Sequence, residues 1–175
     1  MIVEPARRDE FLALMQETYG EAMSAVEFDW WFDRNPAGPR ILHEARDDDG
    51  TALGALAMSF AAMSQGLAAF AVHAVTTPAA RGRGVFSALE LHNEEEAARA
   101  GAPWALGFTN PMAGPILVGK LGWEDVTTLR IWVRPKRLRK QARGALRAEG
   151  VERFFDRHAI RRPGHHIVRD AAYLN

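Results

Sequence analysis

Arg81-Gly82-Arg83-Gly84 is the stretch of this chain best equipped for chemistry. Glycines let a backbone curl tightly and let a ligand approach with no Cβ in the way. A helix beginning just after them turns its first amides, which have no partner inside the helix, toward one point beside the positive end of the helix dipole. Arg81 and Arg83 add charge. Such a loop suits an anion, a phosphate above all. Two familiar phosphate loops are excluded. The run is not Gly-x-Gly-x-x-Gly followed by an acidic ribose-binding residue, and no Gly-Lys-Ser/Thr follows. Taken alone, the tetrapeptide fits an ordinary capped helix start equally well.

The elements around the loop decide how it is presented. Phe11, Leu12, Met15 and Tyr19 recur at helical spacing, which predicts a helix over residues 8–19. An aromatic segment, Phe28-Asp29-Trp30-Trp31-Phe32, predicts a second helix around 27–33, stopped by Asn35-Pro36-Ala37-Gly38-Pro39. Strands are expected over 41–46, 51–60 and 67–76, the first two joined by a turn at Asp47-Asp48-Asp49-Gly50. After the loop come a helix over 85–100, a strand over 103–108, a helix over 111–121, and strands over 123–127 and 129–133. Consecutive strands without intervening helices exclude a simple doubly wound sheet. The expected fold class is α+β: a mixed, mostly antiparallel sheet flanked by helices, with basic helices over 136–147 and 151–158 and a tail beyond Pro163.

The chain has 175 residues, 47% hydrophobic and 25% charged, the balance of one globular domain with a sizeable core. It has no cysteine, hence no disulfide framework, thiolate nucleophile or cysteine zinc site. No apolar run spans a bilayer, and Met1-Ile2-Val3-Glu4 does not open a signal peptide, so the expected location is cytoplasmic, with no membrane partner. The zero net charge hides an asymmetry. Residues 1–133 carry ten Lys and Arg against eighteen Asp and Glu, and residues 134–162 carry eleven against three. The acidic body favours a cationic substrate such as an amine. The basic run Lys136-Arg137-Leu138-Arg139-Lys140 is better suited to docking on that body, within the chain or in a homodimer, than to nucleic acid.

The stretch Val75-Thr76-Thr77-Pro78-Ala79-Ala80-Arg81-Gly82-Arg83-Gly84-Val85-Phe86 resembles the acetyl-CoA signature of the GNAT acetyltransferase superfamily, Val-x-x-Pro-x-x-Arg-Gly-x-Gly and an aliphatic residue. Asn110 followed by Lys120-Leu121-Gly122-Trp123 looks like the family's later motif. The resemblance covers residues 1–134, leaving 135–175 as a basic helical C-terminal extension. It implies an N-acetyltransferase without a metal, in which an acceptor amine attacks the thioester of acetyl-CoA (or another acyl-CoA) directly within a ternary complex. Carried over position by position, the cofactor would meet Val75, Thr76, Thr77, Arg81, Gly82, Arg83, Gly84, Val85, Phe86 and Asn110, with amides at the Val75–Thr77 strand end stabilising the oxyanion. Two positions depart from the pattern. Phe86 replaces the common small residue, and Val118 stands where many members carry the tyrosine that protonates the leaving thiolate.

The amine must lose a proton, and His73, two residues before Val75 and so on the same strand face, titrates in the useful range. Packing as a structural histidine is its bland alternative, and Glu27 and Asp29 are rival bases. Trp30 and Trp31 could shape an acceptor pocket together with Glu27, although neighbouring helical residues diverge by about 100° and core packing would explain either ring. Asn110 suits a helix cap as well as a cofactor contact. Glu94-Glu95-Glu96 reads as a solvated helix face. The missing tyrosine keeps a second class open, a non-catalytic acyl-CoA-binding or sensing module. The closing Asp170-Ala171-Ala172-Tyr173-Leu174-Asn175 resembles the start of an acceptor-side segment in two-lobed relatives.

Overall fold

A computed structural model describes residues 1–126. The order is β1 (Ile2–Pro5), α1 (Arg8–Tyr19), α2 (Ala25–Phe28) running into a wide π-type turn (Asp29–Asp33), β2 (Ile41–Arg46), β3 (Ala52–Met63), β4 (Gly66–Thr76), a 3-10 turn (Pro78–Ala80), α3 (Val85–Arg99), β5 (Trp104–Gly107) and α4 (Gly114–Lys120). The strands form one sheet in chain order. β1 to β4 pair antiparallel, and β4 pairs β5 in parallel. The expected mixed, mostly antiparallel sheet is therefore the observed one. Among the described residues no helix is long and apolar enough to cross a membrane.

Both faces of the sheet are covered. On one, Phe11, Leu14, Phe28 and Phe32 of the first helical segments pack on Leu42, Ala55, Ala57 and Val75. On the other, Val85, Leu89 and Ala97 of α3 pack on Ile41, Leu56, Met58 and Ala69. Burial on two sides explains why β2 and the middle of β3 read as continuous apolar runs rather than alternating ones.

Three expectations are corrected. A first strand, β1, was not foreseen, because Ile2-Val3-Glu4-Pro5 is short and mostly exposed and forms through pairing with β2. Residues 123–126 of the expected 123–127 strand lie in no strand. Instead the Trp123 amide donates to Leu117 O (3.0 Å), and its indole Nε1–H donates to Glu94 Oε1 (2.7 Å). Nor is Glu94-Glu95-Glu96 simply a solvated face: Glu95 is exposed, but Glu94 holds Trp123 and Glu96 approaches His43. The strand expected over 129–133, the basic helices and the whole 135–175 extension lie outside the described residues.

Polar contacts fix the seating of α3. Buried Asn93 donates through Nδ2 to Leu56 O (3.1 Å), which leaves Oδ1 facing His43 Nδ1 at 2.8 Å. His43 Nε2 lies 3.1 Å from Glu96 Oε2. A buried amide that satisfies a strand carbonyl and an imidazole at once sets the rotation of the helix as well as its distance. Replacing Asn93 with Ala strands both partners in the core. Asn93→Ala should cost about 2–4 kcal/mol, read as a lower urea midpoint with an unchanged m-value.

Candidate functional site

Pairing between β4 and β5 runs from Ala68↔Trp104 to Ala71↔Gly107 and stops there. At the same place the β3–β4 register slips between Ala57 and Met58, leaving Val72 as an extra residue, the signature of a bulge. Beyond it, among the described residues, β4 is paired on one side only. The Thr77 amide donates to Leu53 O (3.0 Å), so alternation of the ladder turns His73 and Val75 toward β3 and the backbone groups of Ala74 and Thr76 toward the open edge. The Tyr19 hydroxyl donates to Ala74 O (3.2 Å) from that edge. Of the three expected oxyanion residues, only Thr76 offers its amide to the gap. Val75 is core, and Thr77 is tied to β3 by its amide and its hydroxyl (3.2 Å).

The gap leads to the glycine loop. Gly82 (φ 77°) and Gly84 (φ 79°) both hold a left-handed conformation, and a Cβ at either would point into open space. The glycines are needed for their dihedrals, and the space beside them is clear for a ligand. Gly84 caps α3 without a side chain, so the amides of Val85, Phe86 and Ser87 keep no intrahelical partner. A cleft of about 280 Å³ joins this loop to Thr76, Phe86, Asn110 and α4, where Lys120 adds a cation. Arg81 lines it and is exposed, and Arg83 is exposed on the same loop. The arrangement can hold a phosphate at one end and an extended chain along the unpaired strand. Asn110 does not cap α4, whose N-cap is Ala113, but holds the turn before it: its Oδ1 accepts from the amides of Met112 and Ala113 (both 2.9 Å), and the residue lines the cleft.

A second cavity of about 270 Å³ shares Tyr19, Ala74, Phe86, Asn110 and Ala113 with the first and continues through the gap in the sheet. His73 reaches it from the side of α1 and α2. Its ring lies edge-on to Trp31 (6.2 Å between centroids) and Phe32 (6.1 Å), and burial lowers its pKa below the ordinary imidazole value against a smaller opposing pull from Glu27. It is neutral at pH 7, as a base must be. Trp31 is thus the tryptophan beside the site, whereas Trp30 is half exposed and meets the edge of Trp31. Glu27 is exposed, and Asp29 is paired with Arg8 at 3.0 Å.

Glu90 reaches the same cavity from the side of α3. It is 0% exposed, and neither carboxyl oxygen has a hydrogen-bond partner among the described residues. Burial, reinforced by Glu94 one turn on, pushes its carboxyl up to about 8. Neither Glu90 nor Tyr19 was singled out from the sequence. A signal existed for Glu90, because it falls within the stripe Val85, Phe86, Leu89, Asn93, Ala97 that helical periodicity turns inward. Tyr19 is brought in by tertiary packing, 55 residues from Ala74.

No family model matches the sequence. Nor does any curated protein match it. Its fold does have solved counterparts. A bisubstrate-analogue complex of the aminoglycoside acetyltransferase AAC(6')-Iy, with CoA-S-monomethyl-acetylneamine, superposes with a TM-score of 0.61 at 14% identity, over 77% of this chain and 98% of that one. An aminoglycoside 6'-N-acetyltransferase from Acinetobacter haemolyticus gives 0.58 at 16%, over 78% and 100%. A transcriptional regulator from Bacillus halodurans gives 0.57 at 17%, over 75% and 99%. The chain has the fold of these proteins.

Glu90 also makes a stability prediction. Its folded pKa of about 8 lies above that of an exposed carboxyl, so the unfolded chain ionises first as pH rises. Stability is then full in acid and falls as pH climbs toward 8. Glu90→Gln keeps the shape and cannot ionise. It should gain on wild type by on the order of a few kcal/mol at about pH 9, with the gap closing near pH 4–5. Thermal melts of both proteins across that range would show it.

Proposed function

We propose that this chain, which has the fold of the GNAT acetyltransferases, transfers an acetyl group from acetyl-CoA to a primary amine. The observation that carries the reading is the continuous path from the glycine loop, along the unpaired edge of β4, to a cavity that His73 lines. Pyrophosphate fits the α3 amides with Arg81, Arg83 and Lys120 near it. The pantetheine arm, an amide chain, fits the backbone groups of Ala74 and Thr76 in the manner of an added strand. The thioester then lies in the gap, where outward amides of β4 can stabilise the oxyanion formed on attack. The amine arrives from the side of Trp31 and gives its proton to neutral His73. Acetyl transfer by the aminoglycoside enzymes with this fold supports the same reaction class.

A second reading, an acyl-CoA-binding module without turnover, is favoured by one fact: Val118 supplies no hydroxyl on α4. Calorimetry with CoA and thiol release with a panel of amines separate the two. Binding together with release supports the enzyme, and tight binding with no transfer to any amine supports the module.

Two variants test the parts. Gly84→Val forces a branched side chain into a left-handed conformation at the head of α3. It should weaken CoA binding by about tenfold or more through a cost of about 1–2 kcal/mol. His73→Gln should lower kcat by roughly 10²–10⁴-fold with little change in CoA affinity. Wild-type rate should rise with pH through a value below 6.5, where His73 loses its proton, and that limb should vanish in the variant.

A further inference from the structure

The reaction leaves a thiolate that must be protonated, and this structure holds a carboxyl with nothing to do. Glu90 is fully buried on α3, has no hydrogen-bond partner among the described residues, and lines the cavity that opens onto the gap between β4 and β5. Burying such a group unpaired is costly, and native structures keep one chiefly where function uses it. Leu56, Phe86 and Leu117 line the same cavity, with Thr109 and Asn110 also on its wall. The titratable groups on the same cavity are His73 and Tyr19. Glu94 lies one turn along α3, and Lys120 lines only the adjoining cleft. Among the described residues no arginine or lysine lines the cavity itself.

Resting on the acetyltransferase reading, we propose that Glu90 is the acid that hands its proton to the departing sulfur of CoA. Geometry favours this division of labour. His73 meets the cavity from the α1 and α2 face of the sheet, and Glu90 meets it from the α3 face. An amine entering from the first face forms the C–N bond and passes its proton to His73. Collapse of the tetrahedral adduct breaks the C–S bond, and the electron pair left on sulfur takes the O–H proton of Glu90, giving CoA thiol. Solvent then reprotonates Glu90 and takes the proton from His73. Two groups whose surroundings push their affinities for protons apart, each toward the form its task requires, are what such a reaction needs. Tyr19 is the competing donor, but it approaches from α1, is half exposed, and already gives its hydroxyl proton to Ala74 O.

The test uses the full chain, with Glu90→Gln as a variant that retains the side chain's shape but has no acidic proton to give, and a thermal melt confirming that it folds. With acetyl-CoA and an accepted amine, the variant should lose roughly 100-fold in kcat and keep its KM for acetyl-CoA. The wild-type fall in rate as pH rises through about 8 should disappear. A small aryl thioacetate bearing a nitro group releases a thiolate that needs no proton. With it, wild type and Glu90→Gln should run at the same rate, an equality that mere structural damage would not produce. Equal loss on both substrates, or an unchanged rate and basic limb on acetyl-CoA, overturns the assignment. So does loss of the basic limb in Tyr19→Phe but not in Glu90→Gln. Wild type that binds CoA but acetylates no amine overturns the parent reading and this one with it, whereas the preceding outcomes leave the parent reading standing.

Discussion

The parting of β4 from β5 is the constraint on which the rest of this structure depends. Four paired residues hold the strands together, and a single extra residue at Val72 ends the arrangement. A bulge bends and twists its strand, so the partners cannot stay in register beyond it. An unpaired edge is ordinarily a hazard, inviting another chain to pair with it. Here the exposed length is short, Tyr19 takes the Ala74 carbonyl, and α4 stands over the opening. What is left is a strip of backbone with donors and acceptors free, the right surface for an extended amide-bearing ligand.

α3 serves that strip twice. Its first turn supplies the free amides beside Gly84, and its body supplies Phe86 and Glu90 on the stripe facing the cavity. Both uses require the helix to be rotated correctly, and hydrophobic packing alone specifies rotation loosely. The Leu56–Asn93–His43 contacts specify it tightly, since hydrogen bonds fail with a small turn of the helix. The price of an unpaired carboxyl at Glu90 is thus carried by a helix anchored elsewhere, the pattern expected where a functional group breaks the rules of burial.

Much of this was legible in the sequence because local physics decided it. Helix α1 and strand β2 occupy the residues their periodicity indicated, and the Asp47–Gly50 turn and the start of α3 follow from turn and glycine chemistry. The same-face relation of His73 and Val75 survives because the bulge lies just before them: Val75 packs under Phe11 and Phe32, and His73 meets Phe32. What was not legible is long-range. β1 exists through its partner, and Trp123 leaves the expected strand for hydrogen bonds to Leu117 and Glu94. Choosing between Trp30 and Trp31 needed the π-type turn, which shifts the angular spacing that a regular helix would give. Glu90, between Leu89 and Leu91, was passed over because a lone glutamate in a helix is ordinarily solvent-facing, although it lies beside the inward stripe.

Charge gives the cleft a direction. Arg81 and Lys120 line the loop end, with Arg83 on the same loop, and Glu27 and Asp29 stand on the segment beside His73. Partial neutralisation of Asp29 by Arg8 leaves Glu27 as the exposed acid on that side. In the proposed reaction, this distribution would draw a polyanionic nucleotide and a cationic amine to opposite ends of one passage. In that reading an ammonium must be deprotonated before it attacks, a task suited to a partly desolvated histidine. At the far wall, burial without a lysine or arginine among the described lining residues favours the protonated form of Glu90, the form the proposed acid requires. One sheet, opened on a single edge, separates these two environments while leaving both in contact with the same few atoms.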